Sequence, residues 1–203
     1  MIRVFLQPEP AEFDARVRIP GTTWLSRHPA GTPRNYWREM LVPLADAFAD
    51  RCAYSARCLD YGGEVDHFVP LHENRDLAYD WSNYRYCDPR INKLKRNTPS
   101  RELLDPFTVE DDWFVLGDPD LRLWVTDRCP PELRARAWHT LTKLKLHDGV
   151  LALKVRRRWV EAFTAGHATL ELLAAKAPLV AQMLRRRLIR LSCASGDSGA
   201  FPG

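Results

Sequence analysis

The feature that most constrains the fold of this chain is a run of strand, turn and helix signals between residues 64 and 97. The stretch 64–70 has the composition of a short strand that ends at a proline. The aromatic stretch 81–87 predicts a second strand. Asp88-Pro89 then predicts a helix start, because Asp caps helix N-termini and Pro is favoured at the first helical position. These signals predict strand, loop, strand and helix in that order.

The composition is that of an ordinary globular protein. The chain has 203 residues, of which 45% are hydrophobic and 28% charged, and it is long enough to bury a core without disulfides. No apolar stretch approaches the roughly 18 to 20 residues that a membrane span needs. Pro8 and Glu9 interrupt the apolar N-terminus before a signal-peptide core could form. We therefore expect a cytoplasmic protein with no membrane partner.

The chain divides by composition into five parts. We expect an N-terminal arm and helix (1–51), the strand–loop–strand–helix unit (52–98), an acidic connecting segment (99–133), a basic C-terminal helical region (134–191) and a disordered tail (192–203). The overall fold class predicted by this order is α+β, with the central unit embedded between N- and C-terminal helices.

Local patterns make the expectations sharper. Five prolines before residue 35 argue against long helices there, so we expect an extended arm. Apolar spacing over 36–48 predicts a helix with a kink or a break at Pro43. The stretch 113–116 predicts a strand in the connecting segment. Two helical segments separated by Gly166 are expected after residue 131, with Pro178 inside the second.

The basic charge is concentrated in one region. Residues 134–190 hold 13 Lys and Arg against 3 Asp and Glu. A block this basic favours nucleic acid or an acidic protein surface as the partner, but a solvated helix face is an equally good interpretation of the charge alone.

The central unit carries the residues with chemistry. Asp66-His67 is followed by Asn83, and then by Asn92 with Lys95 three residues later. This order and spacing resembles the signature of the HNH nucleases, which reads Asp-His-hydrophobic-x-Pro, Trp-x-Asn near the second strand, and Asn-x-x-Lys on the helix. The resemblance implies a ββα-metal nuclease unit over residues 52–97.

Three further stretches extend the resemblance along the chain. They are Met1-Ile2-Arg3-Val4, Tyr79-Asp80-Trp81-Ser82-Asn83 and Arg156-Arg157-Arg158-Trp159. Together they resemble the HNH subunit of retron-associated and Septu-type anti-phage systems. In that family the nuclease works beside an ABC-type ATPase, so the resemblance implies such a partner.

The resemblance also implies a role for each residue of the signature. His67 would be the base that takes a proton from water, which suits a neutral imidazole. Asp66 and Asn92 would hold one Mg²⁺, or Mn²⁺, by their oxygens. Asn83 would brace the loop between the strands. Lys95 would reach a phosphate of the substrate.

The substrate that the resemblance implies is nucleic acid. The predicted nucleic-acid-binding residues lie on the helix and are Arg90, Lys93, Lys95 and Arg96. Cations of this kind contact the backbone without reading sequence. DNA is favoured because most HNH units cut DNA, whereas RNA, including tRNA, stays possible because the signature is silent about the 2′-hydroxyl.

The cysteines depart from the family pattern. Many relatives carry two Cys-x-x-Cys pairs that hold a structural zinc, whereas Cys52 and Cys87 each lack their second thiol. Cys58 could replace one of them, with His72 as a remote fourth ligand. We do not expect zinc, and we expect aromatic packing in its place, from Tyr54, Tyr84 and Tyr86.

A second interpretation belongs to a different class. The chain could be a partner-binding subunit whose HNH site is silent alone. In that case the arginines at 156–158 and 185–190 would dock protein rather than nucleic acid.

Overall fold

The computed structural model describes residues 1–196, and the side chains of residues 1–193. Its mixture of helices and two small antiparallel sheets confirms the α+β class. In the described residues the α-helices are α1 (Ile19–Arg27), α2 (Leu41–Ala47), α3 (Pro89–Lys95), α4 (Pro131–Lys143), α5 (Val150–Thr164), α6 (Leu170–Lys176) and α7 (Pro178–Gly196). The strands are β1 (Glu64–His67), β2 (Tyr84–Cys87), β3 (Phe114–Leu116) and β4 (Leu123–Val125).

The N-terminal region is helical where an extended arm was predicted. A π-turn over Asp14–Arg18 runs directly into α1. At the junction the Ile19 N–H donates to the Asp14 carbonyl, five residues back. The wider turn just before Pro20 eases the clash that a proline ring makes with the preceding helical turn. The expectation of an extended arm was therefore wrong for residues 14–27, because it gave proline content more weight than the residues between the prolines.

The N-terminal region is held by buried apolar side chains. Phe13 and Val17 are fully buried. The Phe13 ring lies edge-on to Trp81, with centroids 5.7 Å apart, and to Tyr84, at 5.9 Å. The Trp81 Nε1 also donates to the Gln7 carbonyl at 2.9 Å. The segment before α1 therefore covers one side of the central unit.

The helix predicted over 36–48 is divided earlier than expected. A 3₁₀ turn covers Tyr36–Met40 and α2 follows it without a gap. Pro43 lies in the first turn of α2, where its missing N–H breaks no helical hydrogen bond. The break therefore lies between Met40 and Leu41, two residues before Pro43, where a kink or a break was expected.

The central unit has the predicted order of strand, loop, strand and helix. β1 pairs with β2 in antiparallel register, from Glu64 opposite Cys87 to His67 opposite Tyr84. The second strand is shorter than predicted, because Trp81–Asn83 forms a 3₁₀ turn before it. In that turn the Asp80 carboxylate accepts the Ser82 N–H at 2.9 Å.

The start of α3 confirms the capping prediction. The Asp88 side chain accepts the Arg90 N–H at 2.8 Å, and Pro89 is the first residue of the helix. The helix packs against β1. Since β1 alternates its side chains between two faces, one face of the strand meets α3 and the other meets the N-terminal region.

The connecting segment contains one strand that was predicted and one that was missed. β3 covers Phe114–Leu116 and pairs with β4, in register from Phe114 opposite Val125 to Leu116 opposite Leu123. The short sequence of β4 lies between polar turns and gives a weak strand signal. The sheet packs against α7.

The C-terminal region forms four helices, not two. Pro178 opens α7, as proline does at a first helical position, and does not lie inside a longer helix. α7 continues to Gly196, so residues 192–196 are helical within the predicted tail, and the rest of the predicted tail lies outside the described residues. None of the helices in the described part of the chain is long and apolar enough to cross a membrane.

Candidate functional site

Asp66 lies at the centre of the interface between β1 and α3. Its side chain is 3% exposed and accepts two hydrogen bonds. Lys95 Nζ donates to Oδ1 at 2.9 Å, and the Tyr54 hydroxyl donates to Oδ2 at 2.7 Å. Both carboxylate oxygens therefore have a protein partner, as a buried carboxylate requires.

Lys95 was predicted to reach a phosphate, and the structure places it in the interior instead. It is 1% exposed, and besides Asp66 its ammonium donates to the His67 carbonyl at 2.6 Å. The pair forms because residue 95 follows Asn92 by almost one helical turn and so faces β1 from the same side of α3. In this arrangement Lys95 is a structural cation.

His67 points to the opposite face of β1, away from Asp66 and towards the N-terminal region. Its Nε2 lies 2.9 Å from the Ala78 carbonyl. The ring is edge-on to Trp37, with centroids 4.7 Å apart, and to Tyr84, at 5.1 Å. Burial lowers the pKa of His67 below its ordinary value of 6.5, so the ring is neutral at pH 7.

The bond to Ala78 assigns the tautomer of His67. A neutral ring that donates its Nε2–H to a carbonyl keeps its lone pair on Nδ1. The same carbonyl accepts the Tyr84 hydroxyl at 2.8 Å. The ring is therefore neutral and oriented, but at 9% exposure it has little contact with solvent.

Asn83 braces the loop between the strands in the way that was predicted. The Val69 N–H donates to its Oδ1 at 2.7 Å, and its Nδ2 donates to the carbonyls of Val69 at 3.1 Å and Leu77 at 3.2 Å. Leu77 precedes Ala78, so the amide that fixes the loop also fixes the acceptor of His67. Asn83 thus positions the histidine through the backbone.

Asn92 is half-buried on the side of α3 that faces the start of β1, and it lines an open depression. Its Nδ2 donates to Glu64 Oε2 at 3.0 Å. The depression is lined by this pair together with exposed cations and Asn97, and the cations are the predicted Arg90, Lys93 and Arg96. Of the four predicted nucleic-acid-binding residues, these three are accessible and Lys95 is not.

Asp66 and Asn92 do not fit a cation held between them in this arrangement. Asp66 already has the Lys95 ammonium on one oxygen and a hydroxyl on the other, and Asn92 pairs with Glu64. A divalent ion at Asp66 would face that ammonium at close range, which Coulomb repulsion opposes. Among the described residues no group of three or more His, Cys, Asp or Glu side chains is arranged to hold a metal.

The three cysteines considered as zinc ligands are divided between two places. Cys52 and Cys87 are buried side by side, and the Asp88 N–H donates to the Cys52 sulfur at 3.4 Å. Burial raises the pKa of Cys52, but hydrogen bonds from Cys87, Asp88 and Ser55 outweigh it and lower the pKa to about 6. Cys58 instead contacts Asp60 and Lys176.

The candidate zinc ligands therefore do not form one cluster in the described chain. His72 is exposed in the loop after β1, and the two adjacent thiols of Cys52 and Cys87 supply half of a tetrahedral site.

Two interactions at the site could not be identified from the sequence. The hydroxyl of Tyr54 was expected only to pack, yet it binds the Asp66 carboxylate. Arg85 is 2% exposed, forms a two-pronged pair with Asp105, and lies 3.6 Å from the centroid of the Phe107 ring. Nothing in the spacing of these residues signals either contact, because the partners come from separate parts of the chain.

The basic block does not form one continuous surface. Arg156 is buried, whereas Arg157 and Arg158 are exposed. In α7, Arg187 and Arg190 both bind Asp118 in the turn after β3. Much of this charge therefore serves the packing of the helical region.

No model of a known protein family matches this chain, and no curated protein is significantly similar to it. Its function therefore has to be inferred from the arrangement of its own residues.

Proposed function

We propose that this protein is a nuclease that hydrolyses phosphodiester bonds in nucleic acid, with DNA favoured over RNA. The observation that carries the proposal is the interlocking of four signature residues within one strand–strand–helix unit. Lys95 binds Asp66 and the His67 carbonyl, and Asn83 fixes the loop that orients the His67 ring. The HNH resemblance supplies the class of reaction.

In this proposal the chain's own residues accept a proton from water, orient the base and bind the phosphate backbone. His67 is neutral and its Nδ1 has a lone pair, so Nδ1 is the atom that would take a proton from an attacking water. Asn83 would keep that ring oriented through the Ala78 carbonyl. The exposed Arg90 and Lys93 would hold the phosphate backbone without reading bases.

Dependence on Mg²⁺ or Mn²⁺ is part of the expectation from resemblance, but no step is assigned to the ion. Asp66 and Asn92 each have other partners, so the residues as arranged do not provide the expected pair of ligands. Adding the ions or chelating them therefore tests the expectation directly.

A second candidate function is favoured by one specific observation. Asp66 and Lys95 are almost fully buried and satisfy one another, and His67 is 9% exposed. A site in this condition suits a subunit that is silent alone and is opened or positioned by a partner. By resemblance, that partner would be an ABC-type ATPase in an anti-phage system.

The test is cleavage of defined substrates by the purified full chain. Plasmid DNA and total tRNA are incubated with Mg²⁺, Mn²⁺ or EDTA, with and without any protein that co-purifies. Asn92→Ala is the informative variant, because Asn92 lies at the surface and its removal costs one hydrogen bond to Glu64. Asn97→Ala, in the same depression, is the matched control.

From the role that the HNH resemblance gives Asn92, we expect wild type and Asn97→Ala to cleave and Asn92→Ala to be inactive while keeping its unfolding temperature. Cleavage that appears only with the partner would establish the second candidate. Full activity of Asn92→Ala would remove this residue from the proposed site. Substitution of Asp66 is less informative, because it leaves the buried Lys95 ammonium without its carboxylate.

Binding is tested separately from cleavage. Charge reversal of Arg90, Lys93 and Arg96 should weaken DNA binding and lower the slope of log affinity against log salt by about 0.9 for each phosphate that is no longer neutralised. An unchanged slope would show that this surface does not bind the backbone.

A further inference from the structure

A cavity of about 520 Å³ lies between α3, the first half of α5 and the start of α7. Its walls are mainly apolar and include Leu94, Val155 and Leu179. Two further apolar side chains stand at its edge with much of their surface in water, since Val150 is 81% and Leu151 is 53% exposed. Cavities of roughly 300 to 1,000 Å³ with apolar walls hold small-molecule ligands in many proteins.

A buried positive charge lines this cavity. Arg156 is 8% exposed, and its guanidinium donates to the carbonyls of Leu121 at 2.9 Å, His147 at 3.2 Å and Leu146 at 2.6 Å. No carboxylate in the described part of the chain forms an ion pair with it. Burial lowers the pKa of Arg156 to about 10, so the guanidinium stays charged at pH 7.

The charge of the other lining residues has the same sign. Arg90 and Lys145 are exposed at the cavity, and Arg57 is paired with Asp88 at 2.5 Å. With Arg156 the lining includes four cationic side chains, against the two carboxylates of Asp88 and Asp148. The cavity therefore combines apolar walls with an excess of positive charge.

We propose that this cavity binds a small molecule with an apolar body and one anionic group, a carboxylate or a phosphate. The apolar body would cover Leu94 and Leu151, and the anion would supply the counter-charge that Arg156 lacks. The carbonyls that bind the Arg156 guanidinium satisfy its hydrogen bonds but do not neutralise its charge, and a buried charge without a counter-charge is unfavourable, so an anion at this position is favoured over a neutral ligand. The inference does not rest on the proposed nuclease function, although Arg90 lines both this cavity and the depression beside Asn92.

The test compares two fluorescent probes that differ by one charge. 8-Anilinonaphthalene-1-sulfonate has an aromatic body and a sulfonate, and N-phenyl-1-naphthylamine has the same body without the charge. Both are titrated into the folded full chain, with near-ultraviolet circular dichroism to show that the fold is intact. The wild type should bind the sulfonate about tenfold more tightly than the neutral probe.

Three surface variants keep the proposal falsifiable if an Arg156 variant does not fold. The paired substitution Arg90→Glu with Lys145→Glu should weaken the sulfonate by at least about tenfold and leave the neutral probe unchanged. Leu151→Asp should weaken both probes. Arg157→Glu, on the exposed side of α5, should change neither and serves as the control.

Arg156→Gln keeps hydrogen-bond donors but removes the charge, and where it folds it should abolish the preference for the sulfonate. The proposal is overturned if the wild type binds the two probes equally or binds neither. It is also overturned if Arg157→Glu weakens the sulfonate as much as the paired substitution does.

Discussion

Lys95 Nζ lies 2.9 Å from Asp66 Oδ1, and both side chains are almost completely buried between α3 and β1. The ion pair joins the helix of the central unit to its first strand. The sequence predicted that Lys95 binds phosphate and that Asp66 binds a metal, whereas in the structure the two side chains bind each other.

Removal of Lys95 should therefore be strongly destabilising. Lys95→Met leaves the Asp66 carboxylate buried with Tyr54 as its remaining partner, and we expect a loss of about 3–5 kcal/mol in the free energy of unfolding. Urea denaturation measures it. Lys93→Met, on the exposed side of the same helix, should change stability by less than about 0.5 kcal/mol.

The double variant Lys95→Met with Asp66→Asn tests whether the loss of stability comes from the unpaired carboxylate. Since it removes both charges, we expect it to recover part of the lost stability. A single Lys95→Met variant as stable as wild type would contradict the buried pair.

The role of Asn83 is testable by truncation. Asn83→Ala removes three hydrogen bonds from a side chain that is 4% exposed, and we expect a loss of about 2–3 kcal/mol, since each buried bond contributes about 1 kcal/mol. Asn97→Ala, at an exposed position, is the control. Equal unfolding midpoints for the two variants would mean that the loop does not depend on this amide.

The central unit also separates what could be predicted from what could not. Strand, loop, strand and helix were readable because each depends on neighbouring residues, as the Asp88 cap on Arg90 illustrates. The pairing of Asp66 with Lys95 was not readable, because it depends on how closely α3 approaches β1. The same limit hid Tyr54, which reaches Asp66 from another loop.

The prediction for the N-terminal region failed for a different reason. Five prolines suggested an extended arm, yet Pro20 is accommodated next to a π-turn, and burial of Phe13 and Val17 outweighs the cost. Local composition predicts the conformational preference of the backbone, but it does not predict which side chains will be buried.

The depressed pKa of His67 makes stability depend on pH. The unfolded chain takes up a proton near the ordinary pKa of about 6.5, while the folded chain resists protonation until the pH is lower. The contribution of His67 is therefore complete above about pH 6.5, and it declines as the pH falls from there towards the folded pKa, by at most about 1.4 kcal/mol per pH unit.

The measurement is the free energy of unfolding between pH 7.5 and 5. His67→Gln should flatten this dependence, whereas His72→Gln, at an exposed position, should leave it as in wild type. An equal slope for wild type and His67→Gln would contradict the neutral buried ring.

Asp118 holds α7 against the second sheet. Its carboxylate binds Arg187 and Arg190, and the hydrogen bond from Arg187 lowers its pKa. Asp118→Asn should cost about 1–2 kcal/mol at pH 7, because hydrogen bonds between charged groups are stronger than neutral ones.

The pH dependence distinguishes this pair from a general effect of substitution. A carboxyl with a lowered pKa stabilises above its unfolded pKa of about 3.9 and loses that contribution as the pH falls through the folded pKa. The difference between wild type and Asp118→Asn should therefore shrink below pH 4. Asp112→Asn, at an exposed position, should have the same free energy of unfolding as wild type at pH 7 and below pH 4.

The contacts of Phe13 and Gln7 with the aromatic residues before and within β2 have a consequence for protein engineering. A fragment that contains only the central unit, residues 52–98, would lose its contacts with the N-terminal region and would expose Trp81 and Tyr84 to water. Transplanting the motif into another scaffold would therefore require carrying the N-terminal region along with it, as far as Trp37. The folded unit that contains the motif is discontinuous in sequence, even though the motif itself is contiguous.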